Sequence, residues 1–146
     1  MAIARPVDRR LFFILDRAHT RLCKEADNYL AEKSGVSTSQ AAVLIYLGYH
    51  DRCRLTDLAQ GIGRNNAAIT GLVTRMETED LLERITLTSD RRSKAVALTD
   101  AGWALRKQVM NDFRDFNDRL VKGLTDSEIE AVLKFLALAP DNVKAG

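Results

Sequence analysis

Proline is nearly missing from this sequence: Pro6 and Pro140 are the only two in 146 residues. Nothing between them removes a backbone donor, so long helices are permitted across the body of the chain. Cysteine is as scarce. Cys23 and Cys53 stand alone with no CxxC spacing, which excludes a disulfide framework and a thiolate zinc site. There are two histidines, His19 and His50, no glycine-rich phosphate loop and no paired acid and base. An enzyme is therefore not expected, and neither is a metal or a cofactor. No apolar run approaches the roughly 20 residues of a membrane span. The opening "MAIARPVDRR" lacks the apolar segment and cleavage site of a secretory leader, so a cytoplasmic protein is expected. A strong charge of one sign is also missing. A net +2 and a pI near 8.6 permit a nucleic-acid partner without demanding one.

What is present is a globular balance, 46% hydrophobic and 29% charged residues, in a length that suits one domain with a buried core. Leu11, Leu15, Ala18, Leu22, Ala26 and Tyr29 fall at steps of three and four and predict a helix over 8–33, closed by Ser34-Gly35. Ser37 and Gln40 have the spacing of a capping box. They open "QAAVLIYLGY", which is apolar almost all round and therefore central. A stretch with helical periodicity follows over 55–84, interrupted near Gly61 and Gly63. The period then changes: "ERITL" and "KAVALT" read as strands joined through the six residues Thr88 to Ser93, a hairpin. Thr99 caps the next helix, whose stripe is Leu105, Val109, Phe113, Phe116 and Leu120. Gly123 ends it, and Thr125 with Glu128 makes a second capping box for a short last helix through Leu136. The first and fifth helices exceed 20 residues, more than a small domain covers. Their apolar stripes call for a second copy of the chain.

Residues 55–84 have the pattern of a helix-turn-helix. Ala59 is small enough for two helices to approach, Gly63 supplies the positive φ of the turn, and Ile69 returns to the core. Asn65 is a good N-cap. Beyond it, Asn66, Ala67, Ala68, Thr70, Gly71, Thr74 and Arg75 lie off the face used by Ile69, Val73 and Met76. An ordinary surface helix carries more Lys and Glu. This set is short and hydrogen-bonding: Asn pairs with adenine, and Ala or the Thr methyl touches a thymine methyl. Positive charge is concentrated downstream. Arg84, Arg91, Arg92 and Lys94 face one acid, Asp90, while Glu77, Glu79, Asp80 and Glu83 sit at the far end of the helix. A hairpin carrying Asp90, Arg91, Arg92, Ser93 and Lys94 just after such a helix suits a neighbouring minor groove, where arginine meets concentrated negative potential. Asp90 orients one of the arginines.

"SQAAVLIYL", "LTDLAQGIGRNNAAITGLVTRMETEDLLER" and above all "SDRRSKAVALTDAG" resemble the MarR family of winged helix-turn-helix transcriptional regulators, and with the flanking long helices the likeness covers nearly the whole chain. It implies a mainly α fold with a small β-wing in one domain over 1–146. Within it, 8–33 and 100–139 would form a helical dimerisation lobe and 37–99 the winged DNA-binding lobe. It also implies a homodimer on a pseudo-palindromic duplex, Arg92 in the minor groove, and repression relieved by a small ligand, a metal or thiol oxidation. Asp80 departs from the pattern, standing where the family often has Gly before the Leu that leads into the wing.

An effector pocket is implied between the lobes, for which Phe12, Phe13, Arg17, Tyr46, Tyr49, His50 and Trp103 could supply apolar walls and polar groups for a small aromatic or lipophilic molecule. Cys23 is expected to be a small buried hydrophobe, Cys53 a loop residue without a metal, and His19 a core or dimer-face residue. Two other functions compete with a ligand-responsive DNA reader: a winged-helix module that binds a protein instead of DNA, and a regulator that senses oxidants through a thiol. The polar helix and the basic hairpin favour DNA.

Overall fold

The computed structural model describes residues 9–87 and 94–144. The order is α1 (Leu11–Lys33), α2 (Thr38–Tyr49), β1 (Cys53–Arg54), α3 (Leu55–Ile62), α4 (Asn66–Thr78), β2 (Leu82–Thr86), β3 (Lys94–Leu98), α5 (Asp100–Leu120) and α6 (Asp126–Lys144). The chain divides into two compact units, one up to Asp112 and one from Phe113.

In the first unit α2 is the central element. Its capping box is formed as expected: Ser37 Oγ accepts from the Gln40 amide and Gln40 Oε1 from the Ser37 amide, both at 3.1 Å. Ala41, Val43, Leu44 and Leu47 are fully buried on it. Each large aliphatic side chain sealed in this way contributes about 1.5–3 kcal/mol relative to exposure. Leu58 and Ala59 of α3, and Ile69, Val73 and Met76 of α4, complete the same core. Asp27 of α1 anchors the start of α2, accepting from both the amide and the hydroxyl of Thr38 at 2.7 Å. These donors hold its carboxyl below the usual carboxylate range.

The sheet is antiparallel in the order β1-β3-β2. β1 was not expected. Cys53 lies in it, paired with Val96, and not in a loop. Two residues are too few to show a period, and only the pairing with β3 defines them as a strand. With partners on both edges, β3 is buried from Ala95 to Leu98. The register of the hairpin runs from Leu82 opposite Leu98 to Thr86 opposite Lys94.

α1 starts at Leu11, within the expected 8–33, and ends at Ser34 with Gly35 at φ +73°. Only Ala26 and Leu30 are buried on it; Leu11, Leu15 and Leu22 stay about two-fifths exposed. Cys23, expected to be buried, is exposed, with Sγ 3.4 Å from His19 Nε2, and His19 is exposed with it. Cys23 lies ahead of Ala26 and Leu30, the buried positions of α1, and the described residues of the first unit leave it uncovered.

In the second unit Phe113 and Phe116 meet edge to face at 6.4 Å, and Thr125 and Glu128 form the expected capping box. α6 is not short. It runs 19 residues to Lys144 with Pro140 inside it. Pro140 has no N–H to give the Leu136 carbonyl, yet the helix runs on for one more turn.

Candidate nucleic-acid interface

The turn between α3 and α4 is built as its residues require. Gly63 takes φ +70°, and its amide and that of Arg64 return to the carbonyls of Gln60 and Ala59. Ala59 and Ile69 are buried on either side. Asn65 caps α4, its Oδ1 accepting from the Ala68 amide at 2.8 Å. Asn66, Ala67, Ala68, Thr70, Gly71, Thr74 and Arg75 are all exposed, as is Asn65. The buried and exposed faces of α4 are therefore those the sequence separates.

The hydroxyls on that face are partly committed. Thr70 donates to the Asn66 carbonyl at 2.8 Å and Thr74 to the Thr70 carbonyl at 2.9 Å. Their hydrogens point back along the helix, leaving an outward methyl and an oxygen that accepts. The face offers the amides of Asn65 and Asn66 as donors and methyl groups for apolar contact.

α4 has two flanks. On one side lies an open groove of about 410 Å³ lined by Ser37, Ser39, Arg64, Ala67, Gly71 and Arg75 among others. Arg64 donates to Ser39 Oγ at 3.4 Å. Neither Arg64 nor Ser39 stood out in the sequence, and Ser37 did so only as a helix cap. The only signal was an arginine directly before an N-cap. On the other side, Arg84 of β2 donates from Nη2 to Thr74 Oγ1 at 2.9 Å and from Nε to Glu77 Oε1 at 3.4 Å.

The hairpin is anchored at its base by a compact junction. Asp80, which stands where the family often has Gly, takes φ +60°. Its carbonyl accepts from Thr99 Oγ1 at 2.6 Å, while that same oxygen accepts from the Gly102 amide at 3.0 Å and so caps α5. Gly102 lies against the Leu81 carbonyl, where a β-carbon would stand 2.2 Å from the oxygen. "LTDAG" thus supplies the last strand residue, the cap and the one side-chain-free position that lets α5 approach. Lys94 is exposed at the end of β3. Asp90, Arg91, Arg92 and Ser93 lie outside the described residues.

The seven residues suggested for an effector fall into separate groups. Tyr46 and His50 stack at 4.3 Å and, with Cys53, Asp57, Gln60 and Gly61, line an open depression of about 380 Å³. Burial, then the Asp57 carboxylate, push the Cys53 thiol up, so it stays protonated near neutrality. Tyr49 and Trp103 belong to a second cluster, held by a residue the sequence did not single out. The Arg106 guanidinium lies 5.0 Å from the Tyr49 ring and 5.7 Å from the Trp103 ring, flat on Gly48. Its buried Nε has no acceptor. Phe12 and Phe13 are exposed and pack against each other, and Arg17 is exposed on the same helix. Among the described residues no cluster of His, Cys, Asp and Glu fits a metal ion, and no helix is long and apolar enough to cross a membrane.

A tight helical turn, a capped second helix with an uncharged polar face, and a paired hairpin behind it define a winged helix-turn-helix protein. A family model described as the MarR family matches residues 36–94. The HTH-type transcriptional regulator MhqR of Bacillus subtilis is 25% identical over 135 residues, 92% of each chain. The HTH-type transcriptional repressor MdtR of the same organism is 30% identical over 98 residues, 67% of this chain and 63% of that one. Among solved structures, Staphylococcus aureus MepR in complex with DNA superposes with a TM-score of 0.81 at 22% identity, covering 94% of this chain and 99% of the other. The chain belongs to the MarR family and is a DNA-binding transcriptional regulator.

Proposed function

We propose that this regulator is a cytoplasmic homodimeric repressor, without catalytic activity, that binds a pseudo-palindromic operator. α4 lies in the major groove through Asn65, Asn66, Ala67, Ala68, Thr70, Gly71, Thr74 and Arg75, and Asp90 to Lys94 reach the adjacent minor groove. The observation that carries this reading is the division of α4: Ile69, Val73 and Met76 are sealed in the core while an uncharged polar face stands open to solvent. Such a face reads bases, and the basic wing positions it. Dimerisation through a helical lobe of 8–33 and 100–139 is supported by large exposed apolar side chains, Phe12, Phe13 and Ile14 on α1, and Leu133 and Leu136 on α6. The two-fold then sets half-site centres about 10 bp apart, one helical turn.

A small aromatic or lipophilic effector, seated near Tyr49 and Trp103, releases the repressor. Its support is the aromatic surface around Arg106, whose cation has rings for partners and no carboxylate among the described residues. The test of the DNA reading is a titration of variants against a selected palindromic duplex and scrambled DNA at several salt concentrations. Arg92→Ala weakens binding to both duplexes by about 1–3 kcal/mol per subunit with a shallower salt dependence. Asn66→Ala erodes the preference for the selected duplex and leaves the salt slope intact. Full binding by Arg92→Ala would remove the wing from the proposed DNA contacts.

A further inference from the structure

A protein that places one element in a major groove and another in the next minor groove must let the phosphodiester strand between those grooves cross its surface between the two elements. Here those elements are α4 and the β2–β3 hairpin, and the side chain bridging them is Arg84. It leaves β2 at the position paired with Val96 and ends against α4 at Thr74 and Glu77. A guanidinium has five N–H donors. Thr74 and Glu77 engage two of its nitrogens from one side, and the side chain remains about one-third exposed. Thr74 is itself fixed, its hydroxyl hydrogen given to the Thr70 carbonyl, so its oxygen presents a lone pair to Arg84. The long arginine side chain is therefore docked before any ligand arrives, with donors left over. Little rotamer entropy remains to be lost on binding.

We infer that Arg84 is a phosphate-contacting residue, docked on Thr74 and Glu77 so that its free N–H donors grip the DNA backbone strand that passes between the recognition helix and the wing. This rests on the placement of α4 and the wing proposed above. The geometry also assigns Thr74 a role different from base reading: its oxygen positions the arginine, and only its methyl faces the groove. Glu77, although acidic and beside DNA, belongs to the same arrangement, because its carboxylate holds Nε and turns the remaining donors outward.

The experiment uses the full chain and a palindromic duplex recovered from a random pool, titrated at several salt concentrations, with single phosphates replaced in turn by neutral methylphosphonates. Arg84→Ala is expected to lose about tenfold in affinity per subunit, the size of one charge-assisted hydrogen bond. Its salt slope becomes shallower by about one per subunit, equally on selected and scrambled DNA. In each half-site one methylphosphonate should weaken the wild type but not the variant. Arg84→Gln keeps an amide donor where Nε faces Glu77 and removes the charge; it should reproduce the slope change, and it is the decisive variant if Arg84→Ala does not fold. A residue that merely tied β2 to α4 would lower stability and leave the slope and the methylphosphonate pattern untouched, and that result overturns the inference. If Asn66→Ala still loses discrimination while the Arg84 variants keep the wild-type slope, only the role of Arg84 falls. If the wild type binds no duplex, the placement of α4 and the wing falls with it.

Discussion

Replacing Gly102 by alanine tests the junction from which the wing springs. The added β-carbon would stand 2.2 Å from the Leu81 carbonyl oxygen and 3.2 Å from Leu98 Cδ2. Carbon and a carbonyl oxygen meet at about 3.3–3.6 Å, so roughly 1 Å of backbone displacement is needed. That oxygen also accepts from the Thr99 amide at 3.2 Å, and Thr99 caps α5, so the displacement disturbs the cap. Overpacking against fixed structure costs about 1–3 kcal/mol. Alanine recovers at most about 1 kcal/mol of helix propensity, less in a first turn. The net expectation is a loss of about 1–2 kcal/mol, a fall in Tm of about 2–8 °C for a chain of this size. Thermal and urea unfolding should be compared at one fixed protein concentration, since self-association shifts both. Gly71→Ala is the control, because its added carbon meets nothing within 4 Å, and it should gain up to about 1 kcal/mol. A Gly102→Ala protein as stable as the wild type would show that α5 is not held against Leu81 as described.

Thr99→Ala removes the acceptor for the Gly102 amide and the donor to the Asp80 carbonyl. It should cost about 1–2 kcal/mol by urea unfolding, and a change within error would discount the cap. Asp27 has a folded pKa below its unfolded value, so it contributes stability above about pH 4 that is lost as pH falls through the folded value. Asp27→Asn should therefore flatten the acid limb of a stability-against-pH curve, and parallel limbs would contradict the pairing with Thr38. Cys53, whose thiol is pushed up by burial and Asp57, should oxidise slowly. Cys23→Ser and Cys53→Ser should leave DNA binding and its response to peroxide unchanged, and peroxide release abolished by either serine would make this a thiol sensor. Phe113→Asp with Phe116→Asp should leave no folded monomer by sedimentation and circular dichroism, and a well-folded monomer would refute dimerisation as a condition of folding.

Much of the winged helix-turn-helix was legible in the sequence because short-range chemistry fixes it. Ser37 with Gln40, Asn65 at the start of α4, Gly63 in the turn and Thr99 before α5 each do locally what their side chains permit. The alternation of Ile69, Val73 and Met76 with polar positions fixed which face of α4 is open. What stayed hidden depends on partners distant in sequence. β1 is a strand only because β3 lies beside it, and Arg106 acquires its place from Gly48 and Tyr49 on another helix. The clasp of Arg84 on Thr74 joins residues ten apart through a turn at positive φ, which no periodicity reveals. Cys23 was misjudged because proximity to an apolar stripe says nothing of whether one chain covers it.

The three-stranded sheet bears on how such a regulator changes its target over generations. β3 is secured on both edges and buried from Ala95 to Leu98, and the hairpin is pinned at its base by Asp80, Thr99 and Gly102. The stem therefore owes its stability to buried strand residues and to the junction at its base. Ala67 and Gly71, exposed on α4, take no part in those contacts, so such positions are free to vary under selection for new operators while the scaffold stays above its stability threshold. At such positions preference for DNA and persistence of the fold are separable, and a lineage or an engineer can alter the first without renegotiating the second.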